Sequence, residues 1–191
     1  EIPLSIKKFK KENQIVYIGR IHKVKGIERL LDAWSSLGKN NHWELIIAGY
    51  TDNIYFDYLN DEYTVRKKIK NIKFIGPVLG QEKWNLLARS KVFVMPSDFE
   101  NFGTSILEAM YSGLPVICTH GSPWEVIKKN KCGWYINPDV KSLSRALNEA
   151  INLTDKKRNI MGKLSFNISK QFMPNSINEK LISTYENAKS K

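Results

Sequence analysis

Short apolar runs, most of which stop at glycine or proline, recur along this sequence, and they constrain its fold more than any other feature. Residues 15–19 (IVYIG), 43–49 (WELIIAG), 72–76 (IKFIG), 91–95 (KVFVM, followed by Pro96) and 114–118 (LPVIC) are such runs. A run of five to seven residues, rich in Val, Ile and Phe, reads as a buried strand. Residues 133–136 are a sixth candidate. Between the runs, apolar residues recur at helical spacing: Ile27, Leu30, Leu31 and Trp34 within 26–37, and Trp84, Leu87 and Ala88 within 81–89. Residues 104–111, 140–153 and 155–172 read as further helices. The polar, Tyr-rich stretch 51–70 holds one towards its end, and Pro174 opens a last one over 174–188, since proline suits a first helical turn. Strands apolar on both faces, alternating with helices, specify an α/β fold: a doubly wound, Rossmann-like parallel sheet with helices on both faces. Ligands bind such sheets beyond the carboxyl ends of the strands. Gly19, Gly49, Gly76 and Pro96 should therefore share one rim.

Composition excludes several classes. Hydrophobic residues are 42% of 191, with 5 Trp, 8 Tyr and 8 Phe, which is incompatible with a disordered chain. No apolar run approaches the roughly 20 residues of a membrane-spanning helix. Residues 1–12 are polar and Lys-rich, without the apolar stretch of a secretory leader. Two cysteines, Cys118 and Cys132, are too few for a disulfide scaffold and lack metal-ligand spacing, so a reduced, cytoplasmic compartment is expected. The balance of 30 Lys and Arg against 19 Asp and Glu, net +11, attracts polyanions. No nucleic-acid-binding signature accompanies it. The lysines between residues 7 and 11 are the candidate contact for an anionic membrane surface, giving a peripheral location at its inner face.

Two segments carry chemistry. In the first, Gly19-Arg20 ends a strand and Lys25-Gly26 begins a helix. Glycine lets a ligand approach the backbone, and helix amino ends favour anions, so two cations there suit a diphosphate. In the second, residues 96–110 (PSDFENFGTSILEAM) follow the fourth strand. Gly103, Thr104 and Ser105 open a helix whose free N–H groups can meet phosphate oxygens. Glu100 lies in the loop before it, and Glu108 lies one turn inside, on the face of Thr104. Carboxylates accept hydrogen bonds from sugar hydroxyls.

These segments, in this order, resemble the donor-binding, C-terminal half of retaining GT-B glycosyltransferases of the family 4 type. GRIHKVKG fits a G-R-x4-K-G segment, IKFIG fits the family's V-x-F-x-G-like strand, and residues 96–110 fit a P-S-x-x-E-x-F-G-x4-E-A-M block. SGLPVI (residues 112–117) fits the entry to the next strand. The resemblance covers roughly residues 15–135. It implies that Arg20, Lys25 and Glu100 serve catalysis. Arg20 and Lys25 neutralise the donor diphosphate, and Glu100 binds the transferred sugar. Glu108 binds ribose hydroxyls. Phe74 and Ile75 hold the base through their backbone, and Gly19, Asn101, Phe102, Gly103, Thr104 and Ser105 complete the donor site. It implies retaining chemistry without a metal or other cofactor, and no D-x-D motif is present. It also implies a division into a junction segment (1–14), a nucleotide-sugar-binding domain (15–173) and a terminal helix (174–191). That helix leans towards an amino-terminal domain not present in this chain, which supplies the acceptor site. The implied activity is transfer of a hexose-type sugar to a glycan or lipid-linked acceptor. Three features depart from the pattern: Asn101, the loop from Thr119 to Trp124, and the half-length chain. A GT-B nucleotide-sugar 2-epimerase and a basic nucleic-acid- or membrane-binding module remain alternative readings.

Overall fold

A computed structural model describes residue 3, residues 9–38 and residues 42–173. Six strands form one sheet: β1 (Gln14–Ile18), β2 (Glu44–Ala48), β3 (Ile72–Gly76), β4 (Val92–Met95), β5 (Val116–Thr119) and β6 (Gly133–Ile136). Their order is β3-β2-β1-β4-β5-β6, and every neighbouring pair is parallel. The chain thus winds outward from β1 to one edge, returns to β4, and winds outward to the other. β1 and β4 pair through Ile15 with Val92 and Val16 with Phe93, so the direction of winding reverses between them. The loops leaving these two strands part there and leave a crevice.

The central strands are apolar on both faces because helices cover both. Ile15, Val16, Tyr17, Leu45, Ile47, Val92, Phe93, Val94, Val116 and Ile117 are all fully buried. Each such side chain contributes roughly 1.5–3 kcal/mol of burial free energy. The outer strands are different. Along β3 burial alternates, and Lys73 reaches across to Glu44 at 2.6 Å; β6 is half-buried throughout. These are edge strands, with a neighbour on one side only.

The helices are α1 (Ile27–Ser35), α2 (Asn53–Leu59), α3 (Gly80–Arg89), α4 (Thr104–Tyr111), α5 (Val126–Lys129), α6 (Val140–Asn152) and α7 (Asp155–Ser169). α1 packs along α6, and α4 along α7. The helix expected late in residues 51–70 instead starts at Asn53 and runs on as π-helical turns over Asn60–Arg66. The reason is a cap: the Asp52 side chain accepts from the Tyr55 N–H at 2.7 Å. α7 stops at Ser169, and a tighter turn, Lys170–Phe172, completes the stretch. α5 is a single turn that periodicity does not signal. The helix expected over 174–188 lies outside the described residues, as do residues 7 and 8 of the basic cluster.

Candidate functional site

Two loops build the crevice, each leaving one of the two central strands. After β1, a 3-10 turn, Lys23–Lys25, is closed by Gly26, whose φ of +66° is the left-handed conformation. Position 26 also has no room for a side chain: an added Cβ would stand 2.3 Å from the Pro96 carbonyl oxygen. The second loop, leaving β4, therefore presses on the first. The Asp98 N–H donates to the Val24 carbonyl at 2.8 Å, and Arg29 pairs with Asp98. From beneath, the Tyr17 hydroxyl donates to the Arg20 carbonyl at 2.7 Å.

A third loop supports the second. Thr119 donates from its hydroxyl to the Ser97 carbonyl, the Glu100 N–H donates to the Gly121 carbonyl at 2.8 Å, and the Trp124 indole N–H donates to the Phe102 carbonyl. The loop from Thr119 to Trp124 is thus a scaffold. Trp124 is 1% exposed, a packing residue rather than a sugar platform. His120 is exposed and faces the Tyr135 ring at a centroid distance of 4.5 Å.

The resulting cleft has a volume of about 420 Å³. Nine of its lining residues were singled out in the sequence: Gly19, Arg20, Lys25, Glu100, Asn101, Phe102, Gly103, Thr104 and Ser105. Sequence reasoning missed Val24, Met95 and Phe99, which supply apolar wall. Lys25 Nζ meets Glu100 Oε1 at 2.6 Å, and the same oxygen accepts from the Ser97 hydroxyl at 2.7 Å. The pair is largely sheltered, with side-chain exposures of 17% and 10%. Arg20 is exposed and makes no side-chain hydrogen bond or ion pair with a described residue. Gly103, φ +75°, stands at the N-cap of α4, and no side chain caps the helix. By contrast, Asp52, Asp139 and Thr154 cap α2, α6 and α7. The amino end of α4 therefore offers uncapped N–H groups and its partial positive charge to the cleft. The arrangement can hold an anion between Arg20, Lys25 and α4, and a hydroxyl donor against Glu100.

Three expected residues are not in this lining. Glu108 lies one turn deeper in α4, 8% exposed, paired with Lys83 of α3. Phe74 and Ile75 lie near the carboxyl end of the edge strand β3. Phe74 packs edge-on against Phe56 at 5.4 Å, and Ile75 is exposed. Among the described residues no three His, Cys, Asp or Glu side chains converge as metal ligands, and no helix is long and apolar enough to cross a membrane.

Residues 1–166 match the family model described as glycosyl transferases group 1. The chain belongs to this family. It is similar to an uncharacterized glycosyltransferase of Methanocaldococcus jannaschii, MJ1607, 36% identical over 131 residues, 66% of this chain and 32% of the relative. It is also similar to the alpha-1,3/1,6-mannosyltransferase ALG2 of Dictyostelium discoideum, 31% identical over 195 aligned positions, 91% of this chain and 44% of that protein. The chain therefore spans less than half the length of these glycosyl transferases. Among solved structures it is similar to the C-terminal domain of the group 1 protein LpcC from Francisella tularensis. There the TM-score is 0.73 and the identity 25%, over 85% of this chain and 86% of that one. Anabaena HepE, crystallised with UDP, superposes with a TM-score of 0.79 at 22% identity, over 93% of this chain and 49% of that one. The six-stranded parallel sheet is thus the fold of the C-terminal halves of group 1 glycosyl transferases.

Proposed function

We propose that this chain is the nucleotide-sugar-binding half of a retaining glycosyltransferase that passes a hexose-type sugar to a glycan or lipid-linked acceptor. One observation carries the reading. Arg20 and Lys25 from one loop, and Glu100 and the uncapped start of α4 from another remote in sequence, line one cleft at the point where the sheet reverses its winding. A diphosphate placed between the two cations and α4 is stabilised most when the glycosidic bond breaks and the leaving phosphate gains charge. This is the condition for catalysis rather than mere binding. Glu100, anchored by Ser97 and by its backbone bond to Gly121, accepts from hydroxyls of the sugar being transferred. Glu108 and the loop after β3 lie further from the phosphates, where ribose and base would extend. The UDP present in the HepE crystals supports a nucleoside diphosphate as the ligand class. An amino-terminal domain would face the carboxyl rim and bring the acceptor.

The test is calorimetric titration of the 191-residue chain with UDP, GDP and ADP. One or more should bind saturably. Arg20→Ala should weaken that binding about tenfold to a hundredfold, the cost of roughly 1.5–3 kcal/mol for a lost hydrogen bond to a charged group. A folded chain that binds none of the three, or whose Arg20→Ala variant binds unchanged, refutes the proposal.

A further inference from the structure

Glu108 has a partner that the motif around it does not contain. Its side chain leaves the middle of α4, between the buried Leu107 and Ala109. Its Oε1 accepts a charge-assisted hydrogen bond from Lys83 Nζ on α3. Withdrawing a lone carboxylate from water is costly, and a close ammonium offsets that cost. Lys83 is itself held: its side chain is 19% exposed and its Nζ lies 5.1 Å from the centre of the Trp84 ring. Trp84 in turn meets Tyr111, one turn beyond Glu108 on α4, at 6.4 Å in an edge-on contact. Two layers, one ionic and one aromatic, therefore fix α3 against α4 at this level.

The other carboxylate oxygen, Oε2, accepts no hydrogen bond from a described residue. Glu108 follows Thr104, which lines the cleft, by one helical turn on the same face, a distance of about 5–6 Å. A nucleoside diphosphate whose phosphates lie at Thr104 carries its ribose at a reach of that order. A glutamate without a partner would divide its time among several staggered rotamers. One tied to Lys83 through Oε1 keeps Oε2 in place for a vicinal diol.

We propose that Lys83 is a positioning residue for ribose recognition. It holds one oxygen of Glu108 so that the other receives the ribose hydroxyls, and discrimination between ribo- and 2′-deoxyribonucleotides depends on it. The inference rests on the donor-site reading above and adds a residue from a different helix. Lys83 acts through Glu108, so its effect should vanish when Glu108 is gone.

The experiment compares binding of UDP, GDP and ADP with that of their 2′-deoxy counterparts, by calorimetry, for five proteins: the unmodified chain, Lys83→Met, Lys83→Arg, Glu108→Ala and the double variant Lys83→Met/Glu108→Ala. Circular dichroism establishes that each is folded. The unmodified chain should prefer the ribo form about tenfold or more. Lys83→Met should lose most of that preference by weakening the ribo form alone, Lys83→Arg should restore it, and the double variant should match Glu108→Ala. Leaving Glu108 unpaired could unfold Lys83→Met; the double variant has no unpaired charge and still decides the matter, since a ratio differing from that of Glu108→Ala overturns the proposal. Equal weakening of ribo and deoxy forms by Lys83→Met also overturns it, making Lys83 a general attractant for phosphate. A preference that survives in Lys83→Met but is lost in Glu108→Ala overturns the role of Lys83 while leaving the donor site standing. No binding by the unmodified chain overturns both.

Discussion

At the amino-terminal rim of the sheet, Arg158 turns its guanidinium inward. It donates from Nη2 to the carbonyls of Ala150 and Leu153 at 3.0 and 2.7 Å, pairs with Asp155, and lies 4.8 Å from the centre of the Trp43 ring. Lys91, just before β4, meets Asp155 at 2.8 Å and Asn13 at 2.9 Å. At the carboxyl rim, Arg20 has no such partners among the described residues, and Lys25 is paired with the Glu100 carboxylate. A net charge of +11 does not distinguish these groups. Their partners do. A cation spent on backbone carbonyls at a helix end is structural, because those carbonyls have no substitute for it. A cation facing a carboxylate at the edge of a cleft can be shared with an incoming anion, because both partners remain in reach of water.

The largest expected effect breaks the structural side of this contrast. Arg158→Met strips the last turn of α6 of its donor and leaves Asp155 with Lys91 alone. The expected loss is about 3 kcal/mol of folding stability, the cost of orphaned buried polar groups, measured by urea denaturation. The affinity for nucleoside diphosphates, measured well below the unfolding transition, should stay within about twofold. A stable variant that binds poorly would reverse the assignment of the two rims.

Next comes the carboxyl rim itself. Gly26→Ala places a methyl group where the Pro96 carbonyl now stands, at a left-handed position. The two cleft loops must then separate. The expected cost is about 2 kcal/mol, adding strain to the clash, together with loss of nucleotide binding. Gly38→Ala is the control: its φ is +82° and nothing lies within 4 Å of the added carbon, so about 1 kcal/mol and no binding defect are expected. Equal effects at both glycines would mean that packing of the loops does not shape the cleft.

These two variants also show what could be read from the chain. The four central strands were legible because burial on both faces writes itself as a continuous apolar run. Arg20, Lys25 and Glu100 were legible because each sits within a few residues of the strand or helix end that presents it. The order of the strands was not, so nothing marked β3 and β6 as half-exposed edges. Nor were the partnerships that make the site rigid, such as Ser97 with Glu100, Lys83 with Glu108, or the loop from Thr119 to Trp124 beneath residues 97–102. These join segments remote in sequence and depend on tertiary packing, which local pattern does not encode. Asp52 was a missed local signal: an aspartate ahead of an apolar stretch marks a helix start, and it would have moved the expected helix to Asn53.

The smallest prediction sharpens the contrast by pH. Lys11 is half-buried at the amino rim and donates from Nζ to the Ser90 carbonyl at 2.7 Å. Burial, and then the Lys91 ammonium, hold its pKa down at about 8, against an ordinary 10.5. Between these two values the unfolded chain binds more protons at this position than the folded one does. The contribution of Lys11 to stability therefore rises with pH across that window; it is at its lowest below pH 8 and complete above 10.5. The slope cannot exceed about 1.4 kcal/mol per pH unit, and it is smaller here because the ammonium keeps part of its water. Urea denaturation between about pH 7 and about pH 10 should show a shallower rise for Lys11→Met than for the unmodified chain. Parallel curves would show that the amino rim tolerates its crowded cations as readily as open water does. The contrast between the rims would then rest on geometry alone.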